Sequence, residues 1–227
     1  VKFKNLAYVI IDEQHRFGTM QRQKLARKSD PKETQIPHLL SMTATPIPRT
    51  LALTIYGDLD LTLLDQMPAG RKPIITDIIA PNKRNETYEK VRQELKAGRQ
   101  MYVICPRIDE PDPAKEITLN AKSVKAEARR LQKDIFPEYE IDIIHSKMSP
   151  TKKEEAMERF TNHETDILVA TSLVEVGVNV PNATLILIEG AERFGLAQLH
   201  QLRGRVIRSN HQAYCFVFSE SKSQKSF

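Results

Sequence analysis

Val9-Ile10-Ile11-Asp12-Glu13-Gln14-His15 sets an apolar run directly against two carboxylates. A short apolar run bounded by polar residues reads as a strand buried on both faces, and such strands belong to parallel sheets covered by helices. Two adjacent acids at its end suit a magnesium nucleotide, with Asp12 holding Mg²⁺ through the ion's water shell and Glu13 orienting the attacking water. The pair points to an ATP-driven motor. A plainer account competes with it, because polar residues follow the end of many buried strands.

Outward from this segment the chain alternates strand and helix patterns. Residues 6–11, 39–42 and 59–64 read as strands, with helical patterns over 19–28 and 46–56. Met67-Pro68-Ala69-Gly70-Arg71-Lys72-Pro73 keeps no periodicity and reads as an interdomain linker. Beyond it, strands are expected over 74–79, 101–105, 141–145, 167–170, 185–188 and 214–218, and helices over 84–97, 122–135, 150–161 and 196–202. Residues 106–120, with three prolines and mixed charge, read as a mobile surface loop. Strands alternating with helices predict α/β architecture, a mostly parallel sheet with helices on both faces. The division expected is the C-terminal part of a first domain over 1–66, a linker over 67–73, a complete six-stranded second domain over 74–220 and a polar tail over 221–227.

Composition narrows the class. With 227 residues, 40% hydrophobic and 28% charged, the chain has the balance of a soluble globular protein. No apolar run approaches the ~20 residues of a membrane span, and no charged segment followed by an apolar one opens the sequence. A cytoplasmic protein without membrane contact is expected. Cys105 and Cys215, each beside apolar strand-like residues, read as buried thiols. A net charge of +5 is compatible with a nucleic-acid partner without establishing one. A nucleotide site also needs a glycine-rich loop with Lys and Ser/Thr, and no G-x-x-x-x-G-K-[ST] occurs here. Two accounts remain, a phosphate loop upstream in a longer protein or a chain that is no ATPase. The first is favoured, and the chain alone is expected to be inactive.

Three motifs in order sharpen the reading. Asp12-Glu13-Gln14-His15-Arg16-Phe17-Gly18, Thr43-Ala44-Thr45-Pro46-Ile47-Pro48-Arg49-Thr50 and Gln198-Leu199-His200-Gln201-Leu202-Arg203-Gly204-Arg205-Val206-Ile207-Arg208 resemble the Walker B, third and sixth motifs of superfamily 2 helicases. Within that superfamily the chain is similar to the C-terminal motor portion of the RecG family. Transcription-repair coupling factors share the second motif but carry a different run after the first acid, so that motor is the alternative within the class. A non-catalytic nucleic-acid-binding module is the alternative outside it.

The resemblance implies RecA-like α/β domains, a partial first one and a complete second one, and roles for single residues. Asp12, Glu13 and His15 would serve hydrolysis, with Asp12 on Mg²⁺ through water and His15 coupling hydrolysis to DNA. Gln14, Thr43 and Thr45 would sense the nucleotide, although Thr45 before Pro46 also suits a helix cap. Arg205 and Arg208, three apart, would share a helix face and reach the γ-phosphate across the cleft, with Gln201 and Gly204 in register. A solvated basic face is the plainer account of the two arginines. Thr171-Ser172-Leu173-Val174-Glu175-Val176-Gly177-Val178-Asn179-Val180-Pro181 resembles the fifth motif, in which Thr171 and Ser172 would hold a DNA phosphate and Gly177 and Asn179 would face the nucleotide. Lys147 in His145-Ser146-Lys147-Met148 would add a second phosphate contact, while Ser149 before Pro150 suits a helix cap. The family pattern has Gly at Ile207, Asp at Asn179 and Gly at Ser146. The implied cofactors are ATP and Mg²⁺, and the implied partner is branched, double-stranded DNA. Also implied are the remainder of the first domain, a wedge-type DNA-binding domain upstream and a nucleoid-associated place in the bacterial cytoplasm. Self-association is expected through residues 1–66, whose apolar strands would lack a neighbour.

Overall fold

The computed structural model describes residues 6–12, 37–43, 60, 62–64, 66, 70, 72–106, 123–171, 180–206 and 210–219. The helices expected over 19–28 and 46–56, the loop over 107–120 and the tail over 221–227 lie outside the described residues. The chain divides into two compact units, Val1–Leu63 and Leu64–Phe227.

The first unit contains a parallel pair, β1 (Tyr8–Ile11) and β2 (His38–Ser41), in register Tyr8↔His38 through Ile11↔Ser41. Side chains alternate across the pair: Ile11 is buried, whereas Tyr8, Ile10 and Leu40 are exposed on the opposite face. The strand expected over 59–64 is a correction. Among the described residues, Asp60, Thr62, Leu63 and Leu64 belong to no strand, and Leu64 is 95% exposed. Apolar alternation makes a strand only where a neighbour takes its backbone hydrogen bonds and a core takes its side chains.

The second unit is a six-stranded, wholly parallel sheet of order β3-β8-β7-β4-β6-β5. Its strands are β3 (Ile75–Ile79), β4 (Gln100–Ile104), β5 (Ile141–Ile144), β6 (Ile167–Ala170), β7 (Ala183–Ile188) and β8 (Tyr214–Phe218). Its helices are α1 (Arg84–Lys96), α2 (Val124–Arg130, extended by a wider turn Leu131–Ile135), α3 (Pro150–Thr161) and α4 (Leu196–Arg203). Right-handed crossovers dictate which face each helix takes. The chain moves one way across the sheet from β3 to β4 to β5 and then returns through β6, β7 and β8. Accordingly α1 and α2 bury Tyr88, Val91, Leu95, Val124, Ala128 and Leu131 on one face, and α3 and α4 bury Ala156, Met157, Phe160 and Leu202 on the other.

Local sequence explains these elements. The strands β4, β6 and β7 are buried at every residue and, apart from Gln100 and Thr184, read as apolar runs, as central parallel strands must. On α1, Tyr88, Val91 and Leu95 recur at helical spacing. Ser149 Oγ accepts the Lys152 amide at 3.4 Å and Pro150 opens α3, so the expected cap is present. Ser123 caps α2 in the same way, accepting the Ala126 amide at 3.0 Å. Gln100, 1% exposed, closes the sheet's lower end by donating to the carbonyls of Phe160 (2.6 Å) and Thr165 (2.8 Å).

Candidate active site and nucleic-acid edge

In the first unit, Asp12 and Thr43 come together. Parallel pairing in register places both just beyond the carboxyl ends of β1 and β2, where the Met42 amide donates to the Ile11 carbonyl at 2.8 Å. Asp12 is exposed and Thr43 half-buried. An exposed carboxylate at a strand's carboxyl end fits a magnesium ion held through water. Glu13, Gln14, His15 and Thr45 lie outside the described residues.

In the second unit, the register Ile144↔Ala170 sets the turn after β5 beside the loop after β6. Lys147, exposed, and Thr171, half-buried, therefore share the carboxyl edge of the sheet. This edge is where open parallel sheets bind ligands, because loops diverge there and strand-end amides face outward. Ser146 is exposed on the same turn; Ser172, Gly177 and Asn179 lie outside the described residues.

Gln201, Gly204 and Arg205 are not part of that edge. As the crossover after β7, α4 starts near the carboxyl ends and runs back along the sheet. Its last residue, Arg203, lines one groove with Thr76 and Cys215, near the beginnings of β3 and β8. Gln201 and Arg205 are half-buried and Gly204 exposed. Arg208 and Ile207 lie outside the described residues. The groove, about 640 Å³, runs between α4 and edge strand β3 and is lined by Ile78, Phe194, Leu196, Leu199, Arg203 and Val217.

One buried ionic cluster escaped the sequence reading. Glu189, fully buried just past the end of β7, accepts two hydrogen bonds from Arg84, from Nη1 to Oε1 at 2.8 Å and from Nη2 to Oε2 at 3.0 Å. The same guanidinium lies 4.3 Å from the centroid of the Phe218 ring. Burial disfavours the charge on Arg84, but the Glu189 carboxylate outweighs it and holds the guanidinium's pKa above its ordinary value. A lone Glu after the run Leu185–Ile188 looks like any polar residue ending a strand, so only the distance between positions 84 and 189 in the fold reveals the pair.

Cys105 and Cys215 are both buried and neither forms a disulfide. Burial pushes the Cys215 thiol up to about 12. Among the described residues, no helix is long and apolar enough to cross a membrane.

Residues 84–210 match the model of the helicase conserved C-terminal domain. The chain belongs to that family. Along nearly its whole length it is also similar to proteins named ATP-dependent DNA helicase RecG. The relative from Synechocystis sp. is 49% identical over 223 residues, covering 98% of this chain and 26% of that protein. The Aquifex aeolicus relative is 50% identical over 228 residues, covering 100% of this chain and 28% of that protein. A solved structure of RecG bound to a three-way DNA junction superposes with a TM-score of 0.68 at 40% identity, covering 100% of this chain and 27% of that one. The chain thus spans about a quarter of the length of these relatives and matches their C-terminal portion. The fold agrees with the expectation of a parallel, helix-flanked RecA-like sheet.

Proposed function

We propose that this chain is the C-terminal motor portion of an ATP-dependent DNA helicase that remodels branched, double-stranded DNA in recombination and repair. The observation that carries the reading is the identity near 50% along the full chain with RecG helicases. That a RecG structure was solved on a three-way DNA junction supports branched DNA as the partner. In this reading residues 1–66 complete a first motor domain, 67–73 link it to the second domain over 74–220, and a wedge-type DNA-binding domain lies upstream. ATP with Mg²⁺ supplies the free energy of each step through loss of its γ-phosphate. Asp12 holds the ion through water, Glu13 orients the attacking water, Gln14, Thr43, Thr45, Gly177 and Asn179 face the nucleotide, and His15 couples the two domains. Gln201 and Gly204 keep Arg205 and Arg208 aimed at the γ-phosphate. Lys147, Thr171 and Ser172 hold phosphates of the DNA backbone, which positions the duplex without reading its sequence. The protein works at the bacterial nucleoid.

The separation of Lys147 and Thr171 from Arg205 supports two ligand surfaces on one domain, one for DNA and one for nucleotide. The exposed apolar face of β1 and β2 supports self-association of this chain when the rest of the first domain does not cover it. ATP hydrolysis with a branched DNA is measured on the full-length polypeptide and on this chain alone. Turnover is expected only in the former, and Glu13→Gln is expected to abolish it. DNA-stimulated turnover by this chain alone, equal to that of the full polypeptide, would refute the assignment of a phosphate loop outside residues 1–227.

A further inference from the structure

The helix that carries the sixth motif is held by few apolar side chains of its own, Leu202 and half-buried Leu199, with Val206 buried just beyond its end. It has eight residues, of which only Leu202 is buried, and the groove opens along its flank. Its entry is held by hydrogen bonds. The turn from β7 begins with Glu189, whose amide donates to the Ile104 carbonyl at 2.8 Å. Gly190 follows at φ +61, a left-handed conformation that admits glycine best, and a Cβ there would stand 3.4 Å from Pro106 Cγ. The Arg193 amide then closes the next turn onto the Gly190 carbonyl at 3.0 Å, and the Gly195 amide donates to Gln198 Oε1 at 3.3 Å as α4 starts.

Arg84 grips both strands joined by this crossover. Its guanidinium is bidentate to Glu189 beyond β7 and stacks on Phe218 at the end of β8. A bidentate pair between planar groups fixes direction as well as distance, which an apolar contact does not. We propose that Arg84 and Glu189 are positioning residues for the hydrolytic step: they set the orientation in which the β7 turn delivers α4, and with it the reach of Arg205 to the nucleotide. This rests on the reading of Arg205 as a γ-phosphate contact. Glu189 is fully buried and the Arg84 side chain only 16% exposed, so in this proposal neither contacts the nucleotide and the pair acts on kcat rather than on nucleotide affinity. Misplacement of a catalytic group by about 1 Å costs on the order of a hundredfold in rate.

The test uses the full-length polypeptide with branched DNA and reads kcat, KM for ATP and thermal unfolding. Glu189→Gln keeps shape and removes the charge, and Arg84→Lys keeps the charge and removes the fork. Each is expected to lower kcat by about tenfold or more with KM for ATP within about twofold. The double variant Arg84→Met/Glu189→Leu separates positioning from mere stability, because an apolar pair of similar volume restores a fold that a lone buried charge disrupts. Its unfolding temperature is expected to return toward that of the parent while kcat stays low. Recovery of kcat together with stability overturns the proposal, as does normal kcat in both single variants. Arg205→Ala in the same assay distinguishes the two levels. If it leaves kcat intact, the underlying reading of Arg205 fails and this proposal with it; if it collapses kcat while Glu189→Gln does not, only the positioning role fails.

Discussion

Lys147→Ala tests the assignment of the carboxyl edge to DNA. The side chain is exposed on the turn after β5, so a phosphate bound there sits in nearly bulk water. At about 4 Å in that medium, one charge pair is worth roughly 1 kcal/mol, or about a fivefold change in affinity. Removing one phosphate contact also removes one released counterion, which changes the slope of log K against log salt by about 0.9. The two magnitudes make a joint prediction. Between about 50 and about 200 mM salt the advantage of the parent over the variant should shrink by roughly 3.5-fold, from about fivefold to near parity. Fluorescence anisotropy of a labelled branched duplex, titrated with the full-length polypeptide at several salt concentrations, reads both quantities. The loss should be equal for unrelated sequences, since phosphates carry no sequence information, and ATPase without DNA should be unchanged. An unaltered salt slope, or a loss confined to one DNA sequence, would refute the placement of a phosphate at Lys147.

The arginines predict a different split. Arg205→Ala and Arg208→Ala should each lower kcat by roughly a hundredfold or more with ATP affinity nearly intact, because such groups act on charge that develops in the transition state; Ile207→Gly should maintain or raise DNA-stimulated turnover. Loss of DNA affinity with normal kcat would place the arginines on the DNA track instead. Gln100→Leu leaves the Phe160 and Thr165 carbonyls without their buried donor and should destabilise by roughly 2 kcal/mol or more in denaturant titration, without changing kcat of the folded fraction. The Cys215 thiol, raised from 9.0 to about 12, stays protonated in the folded chain while the unfolded chain ionises. Its contribution is therefore intact below about pH 9 and lost as pH rises toward 12. Cys215→Ser should flatten the alkaline decline of stability, by about 1.4 kcal/mol at a pH one unit above the unfolded value.

The second unit was legible because each of its signals is local. All six strands and four helices appear where apolar runs, helical spacing and serine-proline starts place them, with ends shifted by a residue or two. Met101–Ile104 and Ile167–Ala170 are fully buried, so a continuous apolar run was a sufficient sign. Residues 59–64 carried an alternating apolar pattern, and those of them that are described form no strand, because pairing depends on a neighbour that no local pattern reports. Arg84 and Glu189 were illegible for a related reason. One opens a helix after Pro81-Asn82-Lys83 and the other ends a strand, and each looks like a solvent-facing charge until the sheet order brings β7 and β8 against the start of α1.

On the proposed site assignments, the sheet order would also let one small domain face two charged ligands without mixing them. Parallel strands put every strand-end loop at one edge, which concentrates Lys147 and Thr171 where a phosphate backbone can lie. The crossover α4 carries its motif away from that edge, toward the beginnings of β3 and β8, and so presents Arg205 to a different quarter of the surface. If Arg205 meets a γ-phosphate as proposed, this placement keeps it from competing for DNA phosphates, which are far more abundant along a duplex. Because only Leu199, Leu202 and Val206 anchor α4 and its end to the core, the proposed positioning role has the helix aimed from its start. On that proposal, the bidentate pair at Glu189, ahead of the turn that enters the helix and with Arg84 stacked on the strand that follows it, stands where a small rotation of that start would be amplified along the helix into the largest displacement at Arg205.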